Sequence, residues 1–537
     1  MLNKSVISIV ITIIIDKLSS IMGIPQFQQY IKKTYSDSCK KTWAGIKYDN
    51  LYIDLNHVLH HVCYLAVNLN DLLDRFREYL RKIIESTKPV KRIYLAADGP
   101  APMAKMMLQR KRRLDTVKTL DTDDDLDLKK NLNLNLTPGT YFMTKLETQL
   151  KSFITYIEKK YGVEVITSIT DADEGEIKIR HQVQKFQKRY PDETHLVYSG
   201  DSDMILLLFT CINLTKVYQI IGKDIIIHFG TLMSQHREIF GSTDSTNHDF
   251  VFINLLMGND YIPKMSLIKL ESIWGAYKIV ARNRPKGLVS IQDSTMKIDQ
   301  LFIHDLLYLT TKKSPKHLMN RFSPTDLSDS CYKNYVEGLY WCFTMYTTGY
   351  CSNYRYIYDH RSTPPHVMGA MWTIMFNNTF TITKTDSIDV DLYGILLIPE
   401  KGRSLLSKEQ NLIVEKLVKK HPIIYEEERC VKCKNFCKHM CKLHSQLKQY
   451  DSDSEERYDI SKRMGKLGKS YNAHRETHEK MTAEKIDIIS KSFDRIREKL
   501  RETVSLDSDD DDNKSISPRT YSPLVRSKVI TLKKRLF

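Results

Sequence analysis

Three apolar runs of strand character lie in the first half of the chain, and an aspartate closes each of them. The runs read NLYID, RIYLAAD and HLVYSGD, and they end at Asp54, Asp98 and Asp201. Continuous apolar runs of this length are typical of strands buried in a parallel sheet. Longer patterns with a helical period follow the first two runs, at residues 70–86, 101–120 and 143–160. This order predicts an α/β fold with a doubly wound, mostly parallel sheet.

The acids that follow these strands are expected to meet in one crevice. Ligands of a doubly wound sheet bind beyond the carboxyl ends of its strands. SGDSDMILLL places Asp203 at a strand-to-helix turn, and INLLMGNDYIP ends an apolar helix near Asp260. The segment DADEGEIKIRH adds Glu174 and Glu176 where a further helix begins. A single aspartate in such a place is more often a turn residue or a helix cap, but a coincident series predicts a site.

Clustered carboxylates favour a metal site, because like charges in one place raise one another's pKa unless cations lie between them. Mg²⁺, with Mn²⁺ as the alternative, prefers oxygen ligands, and a pair of ions can stabilise both oxygens of a phosphoryl displacement. We predict two ions held by seven acids: Asp54, Asp98, Glu174, Glu176, Asp201, Asp203 and Asp260. Residues two apart do not share a helix face, so Glu174 is expected in the irregular first turn.

A basic helix is predicted directly after Asp98, in the segment GPAPMAKMMLQRKRRL. Lys105, Gln109, Arg112 and Arg113 recur there at helical spacing and form one polar, cationic face. Alone, such a face is more often a solvated surface. Beside a metal-binding aspartate it predicts contacts to a phosphate group, which arginine binds through two parallel hydrogen bonds.

These motifs resemble the XRN family of 5′-to-3′ exoribonucleases over residues 22 to about 370. The resemblance includes MGIPQFQQYI, YIDLNHVLH, AADGPAPMAKMMLQRKRR, LTPGTYFM, DEGEIKI, SGDSDMILL and MGNDYIP, in the family's order. YVEGLYWCFTMYTTGYCSNYRYIYDH resembles the family's second conserved block. The asparagine- and lysine-rich composition suggests a large DNA virus or a protist as the source.

The resemblance implies roles for these residues. The seven acids fall on the family's Mg²⁺-binding, catalytic carboxylates. Lys105, Gln109, Arg112 and Arg113 fall on its pocket for the 5′-monophosphate, with Lys105 also at the scissile phosphate. His60 falls on a histidine that stacks on the terminal base.

The implied function is Mg²⁺-dependent 5′-to-3′ degradation of 5′-monophosphorylated single-stranded RNA to nucleoside monophosphates, in mRNA decay. The implied core is of the flap-nuclease or PIN-like kind, followed by a helical second region. A structure-specific flap-type DNA nuclease and an inactive RNA-binding decoy stay open as alternatives. We expect a monomer, and the sequence names no protein partner.

Departures from the family pattern lie close to these ligands. Ala172 and Asp173 stand where the family usually has Pro-Gly, and Ile177 stands where a histidine is common. The family's tryptophans are absent from CSNYRYIYDH, which leaves Tyr354 or Tyr356 as the second stacking candidate. The β-rich modules of the large cytoplasmic members are not recognisable in the sequence.

Composition and charge divide the remaining chain. The net charge of +16 and pI of about 9.1 favour nucleic acid as a partner over a membrane surface. The apolar run SVISIVITIII is too short to span a bilayer, so no membrane span is predicted. We predict five segments: an apolar leader or non-native start at 1–21, with Met22 as the alternative start, a nuclease domain at 22–275, a helical second region at 276–425, a Cys-rich basic segment at 426–450, and a charged, largely disordered tail at 451–537.

Two short segments remain. Residues 121–135, DTDDDLDLKKNLNLN, are expected to form a flexible surface loop. CVKCKNFCKHMCKLH sets Cys430, Cys433, Cys437 and Cys441 at a spacing that allows a Zn²⁺ site or a reduced basic surface segment. The other cysteines are scattered, which does not fit a secreted disulfide framework. An intracellular location is expected, the cytoplasm before the nucleus.

Overall fold

The computed structural model describes residues 27–43, 45–118, 128–222, 225–292, 295–312, 329–358, 366–376, 380, 382–447, 449–450, 454–475, 478 and 480–507. The predicted leader and the end of the predicted tail lie outside these residues. Among the described helices, none is long and apolar enough to cross a membrane. The strands are β1 Cys39–Lys40, β2 Asn50–Asp54, β3 Arg92–Ala96, β4 Glu164–Ser168, β5 His195–Tyr198, β6 Val217–Ile221, β7 Ile225–His228, β8 Val289–Gln292 and β9 Thr295–Ile298.

Seven of these strands form one sheet in the order β1-β7-β6-β5-β2-β3-β4. Strands β2 to β6 pair in parallel, and β7 is antiparallel to both of its neighbours. The strand order reverses at β2, because β3 follows on one side and β5 pairs on the other. The prediction of a doubly wound, mostly parallel sheet is confirmed. The crevice expected at such a reversal lies beyond the carboxyl ends of β2 and β5.

Helices connect and cover the strands. Their bounds are α1 Phe27–Thr34, α2 Leu55–Cys63, α3 Leu69–Thr87, α4 Met103–Lys118, α5 Leu128–Asn135, α6 Tyr141–Tyr161, α7 Gly175–Arg189, α8 Asp203–Phe209, α9 Phe229–Phe240, α10 Thr246–Leu255, α11 Leu270–Asn283, α12 Gln300–Thr311, α13 Asp329–Thr348, α14 Val367–Phe376, α15 Val390–Leu397, α16 Lys408–Lys420, α17 Glu426–Arg429, α18 Val431–Leu447, α19 Glu455–Arg475 and α20 Ala483–Asp507. The helical patterns predicted at 70–86, 101–120 and 143–160 correspond to α3, α4 and α6.

Alternating side chains of β2 supply both faces of the sheet, as the pleat requires. Leu51 and Ile53 join an apolar cluster with α2, α3 and α6, whereas Tyr52 joins a larger cluster on the other face. The larger cluster continues through α7 to α14, so the second conserved block is part of the same core. Tertiary packing therefore fixes the position of every element that borders the crevice.

A third apolar cluster joins the basic helix α4 to the C-terminal helices α15, α16 and α20. Helix α20 buries Ile486, Ile489, Phe493 and Ile496 there. The prediction of a largely disordered tail at 451–537 is wrong for this helix and for α19. The apolar residues of α20 recur every three to four positions among charged ones, and an average over composition hides such a stripe.

The acidic low-complexity segment also differs from its prediction. Residues 128–135 form helix α5, and the side chains of Leu132, Leu134 and Leu136 are buried. Alternate leucines in NLNLNL anchor the segment against α2 and the third cluster. The flexible surface loop predicted for residues 121–135 is therefore wrong for this second half, and residues 121–127 lie outside the described residues.

Candidate active site

The first two acids are placed by the ends of neighbouring strands. Asp54 is the last residue of β2 and caps α2, accepting hydrogen bonds from the His57 amide and the Ser199 hydroxyl, both at 3.2 Å. Asp98 follows β3 and accepts from the Gly175 amide at 2.9 Å and from Asn56 Nδ2 at 3.1 Å. Both carboxylates thus lie at the switch point of the sheet.

Glu174 and Glu176 reach the same crevice from the start of α7. Glu174 is the N-cap residue, with an extended backbone (ψ 152°), and Glu176 lies in the first turn. This is the irregular helix start that allows two residues at positions i and i+2 to converge. A side chain at Gly99 would collide with the Asp171 carbonyl, so glycine there lets the segment before α7 lie against the loop after β3.

The remaining three acids come from β5 and from the end of α10. The Asp203 amide donates to Asp201 Oδ1 at 2.9 Å, which sets the two carboxylates side by side where α8 begins. Tyr346 of α13 donates to Asp203 Oδ2 at 3.1 Å. The chain turns sharply after α10 through Gly258, whose φ of +80° suits glycine, and this turn brings Asp260 to the crevice.

Burial and neighbouring acids raise the pKa values of four of these acids: Asp54, Glu174, Glu176 and Asp203. Burial, then Asp98 and Asp201, raise the pKa of Asp54 to about 7. Burial and Asp201 raise the pKa of Glu176 and that of Asp203 well above the ordinary range. The structure therefore brings the predicted carboxylates into one electrostatically linked group. Their catalytic and metal-binding roles stay predictions.

Lys105 of α4 is the central cation of this group. Its Nζ lies 2.6 Å from Glu174 Oε1 and 2.7 Å from Asp260 Oδ2, and its side chain is 12% exposed. Burial lowers the pKa of Lys105, but the carboxylates of Asp260, Glu174 and Glu176 outweigh it and raise the pKa well above its usual value. Lys105 and Arg112, which lies 3.3 Å from Asp260, likewise outweigh burial and lower the pKa of Asp260. Lys105 is therefore a permanent positive charge.

The donor set fits divalent cations. Of the seven carboxylates, Glu174 and Asp260 form ion pairs, with Lys105 and Arg112, so within the described residues most of the negative charge has no cationic side chain in ion-pair contact. Within the described part of the chain, Asp203 Oδ1 is buried and accepts no hydrogen bond. Hard oxygen donors of this kind are what Mg²⁺ and Mn²⁺ bind.

The basic residues after Lys105 lie along α4, and each has a defined contact. Gln109 Oε1 accepts from the Tyr393 hydroxyl at 2.9 Å, and Arg113 Nε donates to Thr137 Oγ1 at 2.8 Å. Burial and the neighbouring Arg112 lower the pKa of Arg113 to about 10. On the opposite face, Arg110 donates to the carbonyls of Leu396 and Ile424 and so ties α4 to the C-terminal helices.

His60 lies at the same end of the site, on α2. Burial and Arg113 lower the pKa of His60 to about 4, against the opposing effects of Asp98 and a hydrogen bond with Asn133 of α5. The imidazole is therefore neutral at physiological pH. A neutral, partly buried ring beside a basic helix is compatible with base stacking, and this role stays a prediction.

Several side chains at the site were not among the predicted residues. Tyr261 donates a hydrogen bond to Glu174, and Asn259 Nδ2 donates to the Tyr346 hydroxyl at 3.0 Å. Tyr393 and Thr137 hold the basic helix, as described above. A tyrosine within an apolar segment is a sequence feature that could have indicated these supporting residues. Tyrosine is so common in this chain that this feature alone does not identify the tyrosines at the site.

The two tyrosines proposed as stacking partners occupy other positions. Tyr354 and Tyr356 are 5% and 8% exposed. Tyr354 donates to Asp173 Oδ1 at 2.5 Å, and Tyr356 packs on Trp341 with ring centroids 4.6 Å apart. Both stacking candidates are therefore wrong: the rings support the crevice from behind and are not available to a base.

The cysteine segment lies away from the crevice and differs from its prediction. Cys430 and Cys433 converge with His474 and His478, and the ligand atoms lie within 4.8 Å of one another. The two histidines were not in the predicted set. The side chains of Cys437 and Cys441 lie outside the described residues.

Comparison with known proteins identifies the first part of the chain. Residues 22–217 match the family model of the XRN 5'-3' exonuclease N-terminus. Over these residues the chain is similar to the XRN N-terminal domain. The match contains β2 to β5 and six of the seven acids, since Asp260 follows it. The XRN resemblance drawn from the motifs is thereby confirmed.

The relatives of the XRN domain are long proteins, of which the matched region is a small share. The 5'-3' exoribonuclease 1 of Saccharomyces cerevisiae is 27% identical over 323 residues, which cover 50% of this chain and 21% of the relative. The enzymes of the same name from Schizosaccharomyces pombe and Homo sapiens are 33% and 29% identical over 35% of this chain, and 16% and 13% of their own lengths are covered.

Solved structures with a related outline are remote. The catalytic core of Rad2 in complex with DNA substrate gives a TM-score of 0.29 at 13% identity, covering 74% of this chain and 99% of that one. The T5 D15 protein co-crystallized with metal ions gives 0.27 at 12% identity, covering 48% and 83%. Scores this low carry no argument about mechanism.

Proposed function

We propose that this chain is a Mg²⁺-dependent 5′-to-3′ exoribonuclease that degrades 5′-monophosphorylated single-stranded RNA and releases nucleoside monophosphates. The main support for this proposal is that α4 is one continuous helix. It places Lys105 among the crevice carboxylates, and Arg112 and Arg113 lie farther along the same helix. At a rise of about 1.5 Å per residue, Arg113 lies roughly 12 Å beyond Lys105. One rigid element can therefore contact the end of a strand and the bond to be cut.

Arg113 supports a phosphate as the ligand of this pocket. Its side chain is partly buried beside Arg112, and a pKa of about 10 keeps the Arg113 guanidinium charged at neutral pH. Arg112 is 36% exposed and pairs with Asp260, whereas Arg113 has no carboxylate in ion-pair contact among the described residues, so an anion beside Arg113 would offset the repulsion between the two guanidinium groups. A terminal monophosphate offers oxygens that arginine binds in pairs. Thr137 contacts Arg113 and Tyr393 contacts Gln109. These neighbours would restrict the space beside the arginines, which would favour a monophosphate over a triphosphate or a cap.

The crevice residues would hold and polarise the scissile phosphate. Two Mg²⁺ ions on the seven carboxylates would supply charge stabilisation and activation of water for the displacement. Lys105, fixed between Glu174 and Asp260, would donate to a phosphate oxygen and stabilise the charge that develops there. Tyr261 and Tyr346 orient Glu174 and Asp203 by hydrogen bonds. His60 would stack on the first base without regard to its identity.

The experiment compares three substrates: 5′-monophosphate RNA, 5′-triphosphate RNA and a DNA flap, each with Mg²⁺ and with EDTA. We expect processive loss of the monophosphate RNA only, with nucleoside monophosphates as products and full dependence on Mg²⁺. Preferred cleavage of the flap would support a structure-specific DNA nuclease instead. Binding of RNA without hydrolysis would support a decoy.

Two variants test the assignment of residues. Asp201→Ala combined with Asp203→Ala should abolish hydrolysis while RNA binding persists, and continued degradation by this variant would contradict the mechanism. Arg113→Ala should reduce the preference for monophosphate over triphosphate RNA by about 10- to 100-fold, the value of one charge-assisted contact. Arg110→Lys, on the opposite face of α4, is the matched control for the pocket. In the cell we propose a role in mRNA turnover as a cytoplasmic monomer.

A further inference from the structure

A second group of metal-ligating side chains lies far along the chain from the crevice, at the base of the helical pair α18 and α19. Cys430 lies between α17 and α18, and Cys433 lies in the first turn of α18. His474 is in the last turn of α19, and His478 follows it. Cys430 Sγ lies 3.4 Å from His474 Nε2, and Cys433 Sγ lies 3.3 Å from His478 Nε2.

We propose that these four residues bind a structural Zn²⁺ ion that fastens the α18–α19 pair to the body of the protein. Two thiolates and two imidazoles are a Zn²⁺ ligand set, and the pairs C-x2-C and H-x3-H have the spacing that such sites use. In this chain most of the helices α18 and α19 lies between the C-x2-C pair and the H-x3-H pair.

The distances suit a tetrahedral centre. With usual Zn–S and Zn–N bond lengths, a sulfur and a nitrogen of one tetrahedron lie roughly 3.6 Å apart. The observed separations of 3.4 and 3.3 Å are close to this value, and all four ligand atoms lie within 4.8 Å of one another. The two imidazole rings cross at 69° with centroids 5.0 Å apart, so each presents its own Nε2 to the centre.

A carboxylate supports one imidazole from behind. Glu426 Oε1 lies 3.4 Å from His478 Nδ1, on the ring nitrogen opposite the one that faces Cys433. A carboxylate in this position fixes the tautomer and turns Nε2 toward a metal. Glu426 is the first residue of α17. Its contact with His478 therefore links the end of α19 to α17, the helix that precedes the pair.

The helical pair needs such a fastening because its own apolar core is small. Among the described side chains of α18 and α19, the buried ones are Cys433, Leu443 and Ile460. Small units with few buried apolar groups commonly depend on a metal or a disulfide. Polar contacts at the base, such as Tyr471 to Glu427 at 3.0 Å, are too weak to replace it.

The test measures metal in the full chain, purified without an affinity tag and dialysed against excess Mg²⁺ to clear the crevice of adventitious ions. Mass spectrometry for metals should find about one Zn²⁺ per chain. Cys433→Ser and His474→Asn should lose it, while Cys437→Ser and His444→Asn, on the same helix α18, should keep it. The Asp201→Ala, Asp203→Ala variant should also keep it, which separates this site from the crevice.

Replacement with Co²⁺ gives a second measurement on the unmutated protein. Tetrahedral Co²⁺ with two thiolates should show intense visible absorption and a sulfur-to-metal charge-transfer band. Circular dichroism and gel filtration establish whether each variant is folded. A metal-free wild-type chain, a Cys430–Cys433 disulfide in its place, or zinc that depends on Cys437 and not on His474 would overturn the proposal.

Discussion

Buried acids at the two edges of the central sheet differ in whether neighbouring cationic side chains compensate their charge. At the amino-terminal edge, Glu193 has a side chain only 8% exposed, and it lies 3.0 Å from Lys91 and 2.7 Å from Arg92. Asn50 Nδ2 adds a hydrogen bond at 2.9 Å. Burial raises the pKa of Glu193, but these partners outweigh it and lower the pKa below its ordinary value. Lys91, Arg92 and Asn50 therefore stabilise the ionised Glu193 carboxylate without a group from outside the chain.

At the carboxyl edge of the same sheet, burial and neighbouring acids raise the pKa of Asp54, Glu176 and Asp203. Lys105 and Arg112 compensate Glu174 and Asp260, and the other carboxylates face one another. Burial of an acid does not by itself indicate a functional site. Burial without a cationic partner to compensate the negative charge does indicate one. The missing positive charge has to come from outside the chain.

The largest expected effect comes from Glu176→Gln. If Glu176 is a metal ligand as proposed, hydrolysis of 5′-monophosphate RNA should fall by at least about 10³-fold, because such a ligand is worth several kcal/mol in the transition state. In metal-free buffer the same variant should be more stable than wild type, by about 1 kcal/mol, since glutamine avoids the cost of burying a carboxyl group among the other acids. Single-turnover assays and thermal unfolding in EDTA measure the two effects.

Mg²⁺ should then raise the melting temperature of the wild type more than that of Glu176→Gln, because only bound ions relieve the repulsion. A variant that is less stable in EDTA would mean that partners within the chain already compensate Glu176. In that case the two edges of the sheet would not differ as described.

Glu193→Gln is the converse test at the amino-terminal edge. It should lower the free energy of unfolding by about 2–4 kcal/mol, because Lys91 and Arg92 lose a buried partner. Activity per folded molecule should be unchanged, since the site is at the other end of β2. Urea unfolding and the RNA assay measure both quantities. Glu164→Gln, at a side chain 62% exposed that also faces Arg92, is the matched control and should change stability by less than about 0.5 kcal/mol.

The pH dependence of this stability has a definite sign. The folded-state pKa of Glu193 lies below its ordinary value of 4.5, so the stabilisation is present above that pH. It is lost as the pH falls through the lowered folded-state pKa. Wild type and Glu193→Gln should therefore converge in stability in acid. A difference that persists unchanged at low pH would indicate a packing effect of the substitution.

The sequence predicted the acids of the crevice because their positions follow from local patterns. A strand of apolar residues and the first turn of a helix are visible in a short window, and parallel strands carry their ends to one edge. The residues that hold those acids are not local. Tyr346 lies 143 positions after Asp203, and Tyr393 lies 284 positions after Gln109. No periodicity within a segment reveals such pairs.

The C-terminal helices show the same limit at the level of whole elements. The region after residue 450 is rich in charge, and composition alone indicates a chain that cannot bury itself. Helix α20 nonetheless packs Ile486 and Phe493 on α16, and Arg497 pairs with Asp389 at 2.7 Å. What the composition could not supply was the partner surface, which α4 and α15 to α16 provide. The apolar stripe of α20 is buried only because α4, α15 and α16 provide an apolar surface for it.

The smallest effect concerns Asp173, an acid beside the crevice whose pKa burial raises to about 6 against the opposing hydrogen bond from Tyr354. Where the XRN family usually has glycine, Asp173 has a φ of +79°, an unfavourable conformation for a side-chain-bearing residue. Its carboxylate accepts from the Tyr354 hydroxyl at 2.5 Å, and its backbone pairs with Gly99 and Pro100. Asp173 therefore links the crevice to the second conserved block.

Tyr354→Phe should lower the free energy of unfolding by about 1–2 kcal/mol, because the Asp173 carboxylate stays buried without its donor. Adding Asp173→Gly should recover most of that loss, since glycine adopts the positive φ freely and has no carboxylate to desolvate. Tyr350→Phe, at a ring 54% exposed, is the control and should be neutral. If Asp173→Gly is equally destabilising with and without Tyr354, the two residues are not coupled. Asp173 would then resemble the uncompensated acids of the crevice more closely than Glu193.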